Sequence, residues 1–198
     1  MRRLVAIACI LSVLFLCVLP SYAYSDLDNS LVDYINVGYE EFHGNRAYYD
    51  ELLLQGYAII VSVGDEYADE EIARFSQAGT YMHELVPSMQ RGTSAPTVAK
   101  DIHSISSYPF TCNADSQYLY TDYKFYGCEA YLLNGFNSSS DNSLHIRVYG
   151  TVRGTVDYSV PASSSIYVHF GTSSSSQKWY AMFYPPAHAY GDISCIAH

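Results

Sequence analysis

Positive charge is scarce in this sequence. Ten lysines and arginines face twenty aspartates and glutamates in 198 residues, a net charge of −10 with the histidines neutral. A chain so short of cations offers no clustered positive surface to a phosphate backbone or an anionic membrane, so neither nucleic acid nor unassisted adsorption to anionic lipid is expected. Local catalytic signatures are missing as well. There is no G-x-S-x-G elbow, no H-E-x-x-H pair because His83-Glu84 lacks its second histidine, and no G-x-x-x-x-G-K or G-x-G-x-x-G loop. These absences weigh against enzymes built on a local motif and imply no cofactor, although a site assembled from distant residues leaves no such trace. The serine clusters at 138–140, 163–165 and 173–176 recur unevenly, which excludes the fixed period of a solenoid.

The first segment has a different character. Met1-Arg2-Arg3 is a short basic start, Leu4 to Leu19 is an uncharged apolar run of 16 residues, and Pro20-Ser21-Tyr22-Ala23 ends in a small-x-small pattern. This order matches an export signal over 1–23 with cleavage after Ala23. The apolar run is shorter than the ~20 residues of a spanning helix. No membrane span is therefore expected after cleavage, with an uncleaved N-terminal anchor as the alternative. Both readings place the remainder outside the cytoplasm. Removing Arg2 and Arg3 leaves eight cations against twenty acids, a net charge near −12 over 24–198.

Cys9 and Cys17 would leave with the leader, so three cysteines remain: Cys112, Cys128 and Cys195. An oxidising compartment favours one disulfide among them, and three pairings are open. Cys112 to Cys128 closes the shortest loop and is the expected bridge, worth about 3 kcal/mol in the chain-entropy model.

Charge and periodicity both change near residue 101. Residues 24–101 carry fourteen acids and four bases, whereas 102–198 carry six and four. In the first stretch, Leu27, Leu31, Tyr34, Ile35, Gly38 and Phe42 recur at helical spacing. Arg46 to Gln55 reads as a second helix closed by Gly56, and Tyr57 to Val63 as a buried strand. Five carboxylates fall within Asp65 to Glu71, but without the glycine and spaced oxygens of a calcium loop. They are better read as the N-terminal turns of an amphipathic helix through Ile72, Phe75, Gly79, Met82 and Val86, where the macrodipole favours acids. The expected organisation is an acidic helix-rich region over 24–87 with one buried strand, a linker over 88–101, and an antiparallel β region over 102–198.

That β region is announced by Leu144 to Val160, where Leu144, Ile146, Val148, Val152, Val156, Tyr158 and Val160 hold the even positions. A 17-residue alternation predicts strand with a bend, bulge or turn at Gly150 or Gly154. Further strands are predicted at 118–126, 129–133, 166–170 and 178–184, joined by connections too short for helical crossovers. The fold class is α+β: a helix-rich acidic N-terminal region followed by an antiparallel β-sandwich-like or partly closed β-barrel region.

Three constellations bear on function. On the odd face of 144–160, His145, Arg147, Tyr149, Thr151 and Arg153 form a polar row, and Arg147, Tyr149 and Arg153 are the binding candidates; a solvated face is the plainer reading. The chain has 21 tyrosines, and around 118–131 and 179–184 aromatics occupy both strand phases, so some must lie under helices or meet water. Finally, His188, Asp192, Cys195 and His198 gather zinc-type ligands in eleven positions, at a spacing that fits no known zinc module and at a chain end. Asn137-Ser138-Ser139 is a glycosylation sequon in a eukaryotic host. The expected function is a secreted, non-enzymatic binding or interaction protein that engages an extracellular protein or carbohydrate through a β-face. A secreted hydrolase with a dispersed site, and a toxin- or bacteriocin-like factor with an acidic pro-region, are the alternatives.

Overall fold

The structure is a computed structural model and describes residues 32–83, 93–105 and 107–196, with side chains on 64–83 described as far as Phe75. The chain is mostly β. It begins with β1 (Tyr34–Gly38), α1 (Tyr39–Gly44), α2 (Arg46–Leu54), β2 (Ala58–Ser62) and α3 (Gly64–His83). Then come β3 (Ala99–Asp101), β4 (Ser107–Ala114), β5 (Leu119–Tyr120), β6 (Lys124–Tyr126), β7 (Ala130–Asn137) and β8 (Leu144–Thr151). The last strands are β9 (Gly154–Val160), β10 (Ser164–Gly171), β11 (Tyr180–Tyr184) and β12 (Ala187–Cys195).

The strands form a six-stranded sheet in the order β1-β2-β10-β7-β12-β4, a four-stranded sheet β5-β11-β8-β9, and a small pair β3-β6. None of them closes, so the partly closed barrel does not form. Most pairings are antiparallel; β1 with β2 and β3 with β6 are parallel. The crossover from β1 to β2 is made by α1 and α2, as a parallel pair requires.

Burial divides the six-stranded sheet cleanly by strand parity. Ala58, Ile60, Ile166, Val168 and Phe170 face the four-stranded sheet, where they meet Leu144, Ile146, Val148, Ala181 and Phe183. Ile59, Val61 and Tyr167 face the other way and pack on Phe42, Tyr49 and Leu53 of α1 and α2. A strand buried on both faces reads as a continuous apolar run, which is why the β2 sequence AIIVS lacks alternation. Val63, Phe75 and Phe136 make a third, smaller cluster under α3. The order of layers is helices, large sheet, small sheet.

Several predicted elements take their expected places. α2 ends before Gly56, which has φ +94°. The 144–160 run folds back at Val152-Arg153, with Gly150 at φ 83° and Gly154 at φ 81°. A side chain at Gly150 would also sit 2.3 Å from the Lys178 carbonyl oxygen.

Others differ. The helix expected through Leu27 to Phe42 is a strand over Tyr34–Gly38 followed by a short helix, and its start lies outside the described residues. The 118–126 strand is divided between β5 and β6, which belong to different sheets. β4 carries Pro109, which a central strand would not tolerate; β4 is the edge of its sheet. β12 was masked in the sequence by its small inward residues Ala187, Ala189 and Gly191. Gly191 is required there, because a Cβ would lie 2.4 Å from the Phe110 ring and 2.3 Å from the Asn134 carbonyl. The sequon asparagine is buried as well: Asn137 Nδ2 donates to the carbonyls of Asn142, Val160 and Pro161, leaving no place for a glycan.

The expected Cys112–Cys128 bridge is also replaced. Cys128 pairs with Cys195, 67 residues away, at a Cα separation of 6.0 Å. Cys112 sits in the core on β4, outside the bridge. Short loop length was the wrong criterion, since sheet pairing brings the end of β12 beside the start of β7 at Cys195↔Tyr131. Non-reducing peptide mapping should find only the 128–195 linkage. Replacing Cys195 by Ala should cost about 2–4 kcal/mol against denaturant, as expected for a closed loop of this length.

Candidate binding face

The four-stranded sheet has one face in the core and one turned outward, and strand alternation sends tyrosines outward. Tyr120 comes from β5, Tyr180 and Tyr184 from β11, and Tyr149 from β8, while Tyr118 stands just before β5 and is 48% exposed. Register brings them into rows: Tyr180 pairs with Tyr149, and Tyr184 with His145. The Tyr149 and Tyr180 rings stack at 4.7 Å and 16°. Tyr120 flanks Tyr180 at 6.5 Å, and Tyr118 meets Tyr184 edge-on at 5.4 Å. The stack covers one face of each of these two rings. Burial, with the neighbouring Tyr149 and Tyr120, raises the Tyr180 phenol pKa. Burial likewise raises that of Tyr184, partly offset by the Arg147 charge.

Arg147 is fixed within this face. Its Nε and Nη2 donate to the two carboxylate oxygens of Asp157 at 2.6 and 2.9 Å, and its guanidinium lies 5.3 Å from the Tyr184 ring centre. Asp157 is its direct cross-strand neighbour on β9. The fork-to-fork hydrogen bonds with Asp157 raise the Arg147 pKa, so the charge is permanent but already balanced. Arg147 and Tyr149 therefore share one surface.

Arg153 does not join them. The register shifts between Tyr149 and Thr151, so Thr151 turns inward at 3% exposure and Arg153 falls in the two-residue turn. Its backbone N–H donates to Thr151 Oγ1 at 3.2 Å, and its side chain borders a cleft of about 30 Å³ shared with Val32, Gly56 and His169. The continuous row from His145 to Arg153 ends at Tyr149.

The helical side of the large sheet holds a polar cluster that the sequence did not mark. Glu71 is 1% exposed; its Oε2 accepts from Arg74 Nη2 at 2.6 Å and from Ser165 Oγ at 3.3 Å. Arg74 also donates to the Tyr167 hydroxyl at 2.6 Å, and the Arg46 guanidinium lies over that ring, 4.8 Å from its centre. Burial pushes the Tyr167 phenol up to about 12 despite these cations. One row further, Asn134 Nδ2 approaches Asp192 at 3.4 Å. Glu71 Oε1, Arg74 Nε and Asn134 Oδ1 have no hydrogen-bond partner. The spacing of Glu71 and Arg74, three apart on a helix, was the available signal. It was absorbed into the acidic start of α3.

The C-terminal ligand-type residues do not converge. Cys195 is taken by the disulfide, His188 is held by Asn113 at 3.0 Å and Asp115 at 2.9 Å, and Asp192 lies four residues along the strand from His188. His198 lies outside the described residues. Among the described residues no three His, Cys, Asp or Glu side chains are grouped to hold a metal, and no helix is long and apolar enough to cross a membrane.

Comparison with protein-family models, curated proteins and solved structures gives no match for this chain.

Asp192 supplies a test of the buried polar layer. Burial raises its carboxyl above the ordinary value, outweighing the hydrogen bond from Asn134 and the attraction of Arg74. A carboxyl with a raised folded pKa favours the fold when protonated, so its contribution grows as pH falls through that value and is lost at neutral pH. Asp192→Asn should therefore raise Tm at pH 7 and remove this acid-side gain. A lower Tm at pH 7 would show that the charge is needed by Arg74.

Proposed function

We propose that the chain is an exported, non-enzymatic binding protein that engages an extracellular protein through the open tyrosine face of its four-stranded sheet. The observation that carries this reading is the outward cluster of Tyr120, Tyr149, Tyr180 and Tyr184 on the strands, with Tyr118 just before β5, opposite the side that the helices cover. Tyrosine provides a large contact area with a polar tip at small entropic cost, which suits protein recognition. A sugar platform needs free ring faces, and the stack takes one face from each of Tyr149 and Tyr180. Arg147 and Asp157 neutralise one another, so selectivity would come from shape and hydroxyl hydrogen bonds more than from net charge. Export is supported by the leader pattern over 1–23, and Cys128–Cys195 accords with an oxidising compartment.

In this proposal an acidic helical layer backs a two-sheet sandwich that presents the binding face. β1 and β2 of the acidic stretch are hydrogen-bonded into the sheet beside β10. Cleavage near 88–97 that released them would uncover Ile166 and Tyr167, which favours action by the intact chain over a detachable pro-region.

Binding of the labelled mature protein to the surface of the producing cells tests this. Saturable binding should vanish after protease treatment of the cells and survive periodate oxidation. Replacing Tyr120, Tyr149 and Tyr180 together by Ser should weaken it about tenfold or more, as for a hot-spot cluster, whereas Tyr48→Ser on α2 should not. Binding that periodate abolishes would transfer the face to carbohydrate. Absence of saturable binding, or indifference to the triple substitution, would contradict the proposal.

A further inference from the structure

Among the described residues two pairs of tyrosines stack with nearly the same geometry but different chemical surroundings. Tyr149 and Tyr180 lie at 4.7 Å and 16°; Tyr39 and Tyr67 lie at 4.3 Å and 14°. The second pair joins the first residue of α1 to α3 and is only partly buried. Each of its hydroxyls has a carboxylate beside it. Tyr67 donates to Glu40 Oε1 at 2.5 Å. The hydroxyl of Tyr39 is close enough to Glu70 and Glu71 for both to raise its pKa, after burial. Among the described residues no carboxylate is hydrogen-bonded to the first pair: Tyr149 interacts with Arg147, a cation, and Tyr180 has Tyr149 and Tyr120 as its neighbours.

Removing one electron from a phenol makes its hydroxyl strongly acidic, so oxidation runs easily only where a base takes the proton. A hydrogen-bonded carboxylate is such a base, and it is in place before the electron leaves. Stacked rings also hold the two resulting radicals in van der Waals contact, which favours coupling between them over escape.

We propose that Tyr39 and Tyr67 form an oxidative cross-linking site, at which a peroxide acting through a haem peroxidase joins α1 covalently to α3. Each phenol loses one electron to the oxidant and one proton to its carboxylate, Glu40 for Tyr67 and Glu70 for Tyr39. The two neutral phenoxyl radicals form a carbon–carbon bond between ring positions ortho to oxygen. Two ring protons then move to the oxygens and restore the phenols. The pair has lost two hydrogen atoms, and one hydrogen peroxide has become two waters.

The link would change the stability of the helical layer. α3 rests on a small apolar cluster of Val63, Phe75 and Phe136 together with the Glu71–Arg74 polar contacts, so a covalent tie at Tyr67 would hold its N-terminal half on α1. The site lies on the helical side, remote from the tyrosine face, and does not depend on the binding proposal.

The test treats the purified mature chain with hydrogen peroxide and a haem peroxidase, follows dityrosine fluorescence, and maps cross-linked peptides by mass. The expected product joins the peptides containing Tyr39 and Tyr67, lighter than their sum by two hydrogen atoms, with the Tyr149–Tyr180 pair as the internal control. Glu40→Gln should slow its formation about tenfold or more by removing the proton acceptor, and Tyr67→Phe, which keeps the ring, should abolish it. Coupling mainly at Tyr149–Tyr180, coupling spread over exposed tyrosines such as Tyr48, or an unchanged rate in Glu40→Gln would each overturn the proposal. Near-ultraviolet circular dichroism of both variants shows whether the fold is retained, so that a lost product reports on the site.

Discussion

Everything in this structure leans on β10. It lies between β2 and β7 in the large sheet and is buried on both sides, its inward residues Ile166, Val168 and Phe170 meeting the small sheet and its outward Tyr167 meeting the helices. One strand thus joins the two apolar layers, and it also hydrogen-bonds the acidic first stretch to the aromatic second stretch. The large sheet spends both faces on packing. The small sheet spends only one, and the surface left over is where the tyrosines stand.

The helical layer is held by apolar packing of Phe42, Tyr49 and Leu53 on the sheet and, beneath α3, by polar contacts as well. Glu71, Arg74, Ser165 and Tyr167 form a connected set beneath α3; Glu71 Oε1 lacks a hydrogen bond but lies 3.7 Å from His43 Nε2, and Arg74 Nε lacks a hydrogen-bond partner. Buried groups of this kind cost free energy when they are unpaired and lend definition when they are paired. In the sandwich core Trp179, wholly buried, is surrounded by Phe125, Tyr131 and Phe170, and its Nε1 likewise has no hydrogen-bond partner.

How much was legible in the sequence followed how local each signal was. Alternation over Leu144 to Val160 yielded β8, β9 and the turn between them, because period two and paired glycines are written in consecutive residues. The buried run at 57–63, the end of α2 at Gly56 and the acidic start of α3 were legible for the same reason. β1 was mistaken for helix since Tyr34, Ile35 and Gly38 sit at helical spacing, whereas the residues it turns inward are Ile35 and Val37, two apart, and pairing with β2 decides between them. β12 was hidden by alanine and glycine at its inward positions; at Gly191 the close approach of Phe110 and the Asn134 carbonyl demands the absence of a side chain. The disulfide was misassigned because loop length was considered without strand order. Arg147 and Tyr149 were found together, but Arg153 was lost to a register shift. The tyrosines were recognised as lying on both phases; which sheet the helices cover is set by long-range pairing.

Hydroxyl-radical footprinting of the free protein, resolved by residue, measures the difference between the two outer faces most directly. If the small sheet is open and the large one covered, Tyr118, Tyr149, Tyr180 and Tyr184 should be modified much faster than Tyr108, Tyr131 and Tyr167. Equal rates for Tyr167 and Tyr180, or protection of the four face tyrosines in the monomer, would contradict the account.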